Sequence, residues 1–296
     1  MLQRLALRWM FAAVNRCPHA LLRSKAPLAW IAWCASPNLR RRCHANAQGL
    51  LGTQATPRQR SAYGRGVLRE FLRFVADVAI AQRLSKQAIL AKVSTIEGQA
   101  HFEQAQHAGR GLIIATCHCG SFEVGAAAVA DRIDEVLVLF QGDAHHGFEA
   151  MRHRLHQQLG LTEVRVERGL DAWIDMRDAL ARGAAVLIQA DRCMPGQRGA
   201  PTPFLHGQVA LPDGPAKLAR LSGAPVLPIA SVVEPDGRTR LRIAPAIDPN
   251  HAEPRDFDDR VRHELAGFFA AVIRENPTQW HTLHVAFVPS LDDATA

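Results

Sequence analysis

Acidic residues are missing from the first 69 positions of this 296-residue chain. That stretch holds twelve Lys or Arg, and the residues after it carry 23 basic against 28 acidic side chains, so the whole formal excess of +7 lies in the first quarter. A segment so one-sided attracts an anionic partner: a membrane surface, nucleic acid or an acidic protein. Also missing is a run of about 20 apolar residues, the length a spanning helix requires. The stretches Leu2 to Val14 and Ala26 to Ala35 are too short or are interrupted by Arg. Their Leu and Ala, with Trp9, Trp30 and Trp33 among the Arg, suit helices lying in the headgroup layer of a membrane. An organelle transit peptide has the same Arg-rich, acid-poor character. No recognised nucleic-acid-binding motif follows, so nucleic acid is not expected as a partner.

Paired cysteine spacing is absent too. Cys17, Cys34, Cys43, Cys117, Cys119 and Cys193 outline no disulfide framework, which points to a reducing compartment. Zinc needs about four ligands at workable spacing, and Cys117-His118-Cys119 has no second Cys or His cluster to complete it, since His145 and His146 follow no matching pattern. No metal and no cofactor is expected. There is no internal repeat and no low-complexity linker, and the length is enough to bury a large core.

What is present is alternation. From Ser61 to Leu84 the apolar residues Val67, Leu68, Phe71, Leu72, Val75 and Val78 recur at three- and four-residue spacing, which predicts an amphipathic helix. Beyond it, buried-type strands at Leu112 to Thr116, Glu135 to Phe140, Thr162 to Val166, Ala184 to Gln189 and Val226 to Val233 are separated by helical stretches. That order predicts an α/β fold, a largely parallel central sheet flanked by helices. Cys193 to Pro215, rich in Gly and Pro, reads as an ordered surface loop. Two regions are expected: a basic amphipathic N-terminal extension over 1–60 that associates with membrane, and an α/β domain over 61–296.

The chemistry gathers at strand ends, where ligands collect in parallel sheets. His118 follows the strand at Leu112 in a tight turn, and a helix opens near Gly120 and Ser121. Glu123, five residues on, meets His118 only if the histidine belongs to the turn and the acid to the helix. A histidine held by a carboxylate is a general-base arrangement. Asp191 and Arg192 follow the strand at Ala184, so they are expected to face the same crevice.

These residues and the blocks around them resemble the lipid A biosynthesis late acyltransferases (lauroyl and myristoyl transferases) and the related phosphatidylinositol mannoside acyltransferases. The resemblance rests on His118 with Glu123, on Gln189-Ala190-Asp191-Arg192, and on Pro203-Phe204-Leu205-His206-Gly207. Leu211 to Ala219 and Ser222 to Pro228 continue it, and Asn276-Pro277-Thr278-Gln279-Trp280-His281-Thr282-Leu283-His284 ends it. It departs from the family in a weaker N-terminal apolar helix and in Val285-Ala286-Phe287-Val288, where a basic run is usual. The resemblance implies transfer of a fatty acyl chain from acyl carrier protein to a hydroxyl of a membrane lipid, a lipid A precursor or similar glycolipid. It places that work at the cytoplasmic face of a bacterial inner membrane.

In that chemistry His118 is the base and Glu123 its partner. Backbone N–H groups around Gly120 and Ser121 are expected to hold the oxyanion. Arg192 is a candidate for phosphate or oxyanion, Asp191 for orienting Arg192 or a substrate group, and Phe204 and Gly207 for substrate contact. Arg152 and Arg154 are secondary phosphate candidates, or simply a solvated helix face. Three alternatives stay open: another acceptor such as a lysophospholipid or a polyene pigment, an acyl-enzyme on Cys117 or Cys119, and a lipid-binding protein without activity.

Overall fold

In the computed structural model, residues 11–142, 146–193, 197–251 and 256–288 are described. Most of the first apolar run, with Arg4, Arg8 and Trp9, lies outside them, as does His145. After a helical stretch over 11–16 come three helices: α1 (Pro18–Ala35), α2 (Pro37–Leu51) and α3 (Pro57–Ala81). The helix predicted from Ser61 starts earlier because Thr56 and Gln59 form a reciprocal capping box, with Pro57 in the first turn. Residues 60 and 61 therefore fall inside one continuous helix, and α1 and α2 both pack against it. Asn46 of α2 is fully buried and donates to the His284 carbonyl at 2.6 Å, tying the N-terminal helices to the far end of the chain.

The remainder follows as α4 (Lys86–Leu90), β1 (Val93–Glu97), α5 (Gln99–His107), β2 (Leu112–Thr116), α6 (Phe122–Ala130) and β3 (Val136–Phe140). Next come α7 (His146–Leu159), β4 (Leu161–Arg165), α8 (Leu170–Ala181), β5 (Ala185–Gln189), β6 (Gly199–Phe204), β7 (Gly207–Pro212) and α9 (Gly214–Ser222). The chain continues with β8 (Val226–Val233), β9 (Thr239–Ile243), α10 (Phe257–Glu275) and β10 (Phe287–Val288). Seven strands form the main sheet in the order β1-β9-β8-β2-β5-β3-β4, parallel except at the β8–β9 pair.

Alternate residues of the strands feed two cores. On β2, Ile113 and Ala115 face one side, with α8, α9 and α10; Leu112 and Ile114 face the other, with α3, α6 and α7. Every residue of β8 is buried, as a central strand covered on both faces must be. The expected α/β sheet flanked by helices is thus the fold observed. Among the described residues no helix is long and apolar enough to cross a membrane.

The segment read as a loop contains a hairpin instead. β6 pairs antiparallel with β7, and β10 adds a third strand. Pro201 and Pro203 hid it, yet β6 is an edge strand, where a missing N–H costs no ladder bond.

Candidate active site

β2 and β5 are neighbours in register, with Thr116 opposite Gln189. Two residues beyond each partner stand His118 and Asp191, so the ladder itself delivers both to one edge of the sheet. The imidazole Nδ1 of His118 lies 2.7 Å from Asp191 Oδ1. A carboxylate only accepts, so Nδ1 carries the proton and Nε2 is left as the basic atom. Asp191 is wholly buried, and its other oxygen accepts from the Trp280 indole N–H at 2.7 Å. Burial opposes ionisation of Asp191, but the His118 and Arg192 charges and these two bonds hold it well below the usual carboxylate range. Burial and the Arg192 charge also lower the His118 pKa, with Asp191 pulling the other way.

Glu123 is not the partner of His118, contrary to the expectation from spacing. It stands in the first turn of α6, buried, and turns toward α7. There it accepts from Arg152 Nε at 2.8 Å and lies 3.0 Å from His156 Nε2. Burial would raise its pKa, yet Arg152 and His156 outweigh that and bring it down to about 2. Asp191 likewise does not serve mainly to orient Arg192, whose nearest approach to it is 3.7 Å; it holds the histidine.

The turn carrying His118 is stitched to a segment whose role spacing could not reveal. Gly120 N–H donates to the Gln279 carbonyl, His281 N–H to the His118 carbonyl, and the His281 ring, 2.9 Å away at Nε2, to the Gly120 carbonyl. Gly120 has a φ of +57°, and a Cβ there would come within 2.4 Å of the Ser231 carbonyl oxygen, so only glycine fits. Since the Gly120 N–H is already used, it is not an oxyanion donor. The N–H groups of Ser121 and Phe122, at the start of α6, are not spent on a backbone carbonyl among the described residues. The His281 ring stacks on Phe74 at 4.9 Å, its Nδ1 is buried without a partner among the described residues, and burial brings its pKa down to about 4.

His118 opens on a cavity of about 700 Å³. Leu139, Phe140, Val166, Ala172, Trp173, Met176 and Ile188 line its apolar part, while Arg152, Arg192, Arg198 and Lys217 bring positive charge to it. Arg192 is nearly buried, with one amino group 3.2 Å from the His281 carbonyl and an Nε that has no partner among the described residues. Arg152 uses Nε on Glu123; its two amino groups have no partner among the described residues, and the rings of Phe140 and Phe122 stand 5.0 and 5.8 Å away. Arg154 turns elsewhere, to Gln82.

Phe204 and Gly207 do not line the cavity. Phe204 is in the core, 5.5 Å from Trp280 and 6.3 Å from Phe287, and the Phe287 ring also lies over Gly207. Their contribution is to hold Trp280, and through it Asp191. Cys117 and Cys119 are also fully buried, and neither lines the cavity. The hydrogen bond that the Cys117 thiol gives to Cys119, together with burial, pushes it well above its usual value, the reverse of an activated nucleophile. Among the described residues no group of three or more His, Cys, Asp or Glu is placed to hold a metal ion.

The family model for the bacterial lipid A biosynthesis acyltransferases matches residues 5–288. The chain belongs to that family. The acyltransferase class expected from the sequence is the class of this family. Among characterised relatives, a phosphatidylinositol mannoside acyltransferase of Mycolicibacterium smegmatis is 23% identical over 194 residues, covering 65% of this chain and 62% of that protein. One from Mycobacterium tuberculosis is 24% identical over 212 residues, covering 67% and 61%. The chain thus spans under two thirds of the length of these relatives. The 1-acyl-sn-glycerophosphate acyltransferase of Thermotoga maritima aligns with 79% of this chain and 95% of its own, at 14% identity and a TM-score of 0.39.

Proposed function

We propose that this chain transfers a fatty acyl group from a thioester donor to a hydroxyl of a membrane lipid. His118 is the base and Asp191 its partner. The observation that carries this is the 2.7 Å His118–Asp191 contact at the mouth of an apolar cavity of about 700 Å³, a size typical of small-molecule sites. Nε2 accepts the hydroxyl proton as the oxygen attacks the thioester carbonyl. The tetrahedral oxyanion then collapses, the C–S bond breaks, and the imidazolium returns the proton to the departing thiolate. Asp191 fixes the tautomer and stabilises the imidazolium. The products are an ester and a free thiol, with no covalent enzyme intermediate.

The free N–H groups of Ser121 and Phe122 at a helix start suit the oxyanion. The unpaired amino groups of Arg152, with Arg192, suit a phosphate on the acceptor. The acceptor is accordingly a phosphorylated glycolipid such as a lipid A precursor, and the donor is acyl carrier protein. The exposed Leu28, Trp30 and Ile31 of α1, on a basic segment, would rest on the anionic cytoplasmic face of the inner membrane.

The test supplies purified protein with a labelled acyl–acyl carrier protein and total bacterial lipid. A new labelled lipid that His118→Ala fails to form supports the reading. A folded His118→Ala variant with wild-type transfer rules it out. With acyl carrier protein as donor, the rate should fall as salt is raised, since acidic carrier meets basic surface.

A further inference from the structure

Behind the cavity wall runs a chain of alternating charge. Arg152 Nε donates to Glu123 Oε1; Glu123 Oε2 lies 3.0 Å from His156 Nε2; His156 Nδ1 lies 2.7 Å from Glu163 Oε1; Glu163 Oε2 lies 3.0 Å from His153 Nδ1. His156 is almost wholly buried, with the Phe140 ring edge-on at 6.1 Å. Both of its ring nitrogens face carboxylate oxygens, which can only accept. A neutral imidazole could satisfy one of them; this one must carry two N–H groups and a charge. A buried carboxylate bonded at only one oxygen would leave the other exposed to an apolar layer, at a cost that favours its turning away.

Resting on the reading of Arg152 as an anion-binding group, we propose that His156 is a positioning residue: it fixes the Glu123 carboxylate, and thereby keeps the free amino groups of Arg152 directed into the cavity. Glu163 anchors the far side of the imidazole. The groups facing His156 are Glu123 from α6, Glu163 from β4, and Arg152 and His153 from α7. Burial opposes the charged imidazole, but the two carboxylates bring its pKa up to about 9. The arrangement therefore holds at neutral pH and loosens as pH rises through that value. The ligand so recognised is a phosphate ester on an apolar tail, the fork of a fixed Arg matching two phosphate oxygens.

The test is calorimetric binding of decyl phosphate and of decanol to the whole protein, which requires no transfer. Wild type should prefer the phosphate. His156→Gln should weaken decyl phosphate about 10-fold, Glu163→Gln about 3-fold, and neither should change decanol. In an Arg152→Ala background, which loses the preference, His156→Gln should add nothing further. The wild-type preference should also fade above about pH 9, the pH at which His156 releases its proton. If His156→Gln does not fold, Glu163→Gln carries the test by the same comparison. A phosphate preference that depends on Arg152 but not on His156 or Glu163 overturns the proposal and leaves the anion site standing. Losses equal for both probes, or additive in the Arg152→Ala background, also overturn it. Equal wild-type affinity for the two probes removes the anion site, and the proposal with it.

Discussion

Two histidine–carboxylate pairs meet the chain near the start of α6, one at the turn before it and one at its first turn, and they are in opposite states. His118 has one carboxylate, Asp191, an edge open to the cavity and Arg192 close by; burial and that cation keep its pKa below the usual value. His156 lies between two carboxylates, Glu123 and Glu163, and is held up to about 9. The same residue types yield a neutral base in one place and a fixed cation in the other. A cation stands beside each ring, Arg192 in one case and Arg152 in the other, so the difference lies in the number of carboxylates that face it, one against two. A base must be free to gain a proton, and a structural imidazolium must not lose one.

Breaking the two pairs should have different consequences. The largest effect belongs to His118→Ala, expected to lower single-turnover transfer on the order of 10²-fold or more in a chain that still folds. Next is Glu123→Ala, which leaves Arg152 and His156 buried with a carboxylate removed. It should destabilise the fold by about 3 kcal/mol in urea unfolding, more than His118→Ala does.

A smaller effect separates the pairs by pH. Glu123 has a depressed pKa, so its contribution to stability is present above its unfolded value and is lost as pH falls toward about 2. His156 has a raised pKa. Its contribution is complete below its unfolded value near 6.5 and is lost as pH rises through about 9. The midpoint of unfolding should therefore fall between pH 7 and 10 in wild type and less steeply in His156→Gln. The smallest effect is expected from Phe204→Leu, which loosens the packing on Trp280 by about 1 kcal/mol and leaves the decyl phosphate affinity unchanged.

Much of this was legible in the residues. The strands LIIAT and AVLIQ announce central parallel strands, and His118, Asp191 and Arg192 could be placed at one sheet edge because each follows such a strand. The pairing was not legible. Asp191 is 73 residues from His118 and is brought to it by ladder register, whereas Glu123 is five residues away and looks closer. Register between non-sequential strands is a tertiary fact, and one α-helical turn sufficed to aim Glu123 at α7. His156 gave no signal, since a histidine on a helix is more often exposed. The terminal segment through Trp280 and His281 could be recognised as a block but not assigned a task, because its hydrogen bonds run to backbone atoms of the His118 turn. The hairpin β6–β7 escaped because its prolines sit on an edge strand.

The most direct measurement compares Asp191→Asn with Glu123→Gln in single-turnover transfer as a function of pH. Wild-type rate should fall on the acid side with a midpoint below pH 6.5, as His118 takes up a proton. Asp191 raises the His118 pKa, so Asp191→Asn should move that midpoint further down and cut the plateau rate by roughly 10- to 100-fold. Glu123→Gln should leave the midpoint in place. A midpoint that shifts with Glu123→Gln and ignores Asp191→Asn would contradict the assignment of Asp191 as the partner of His118.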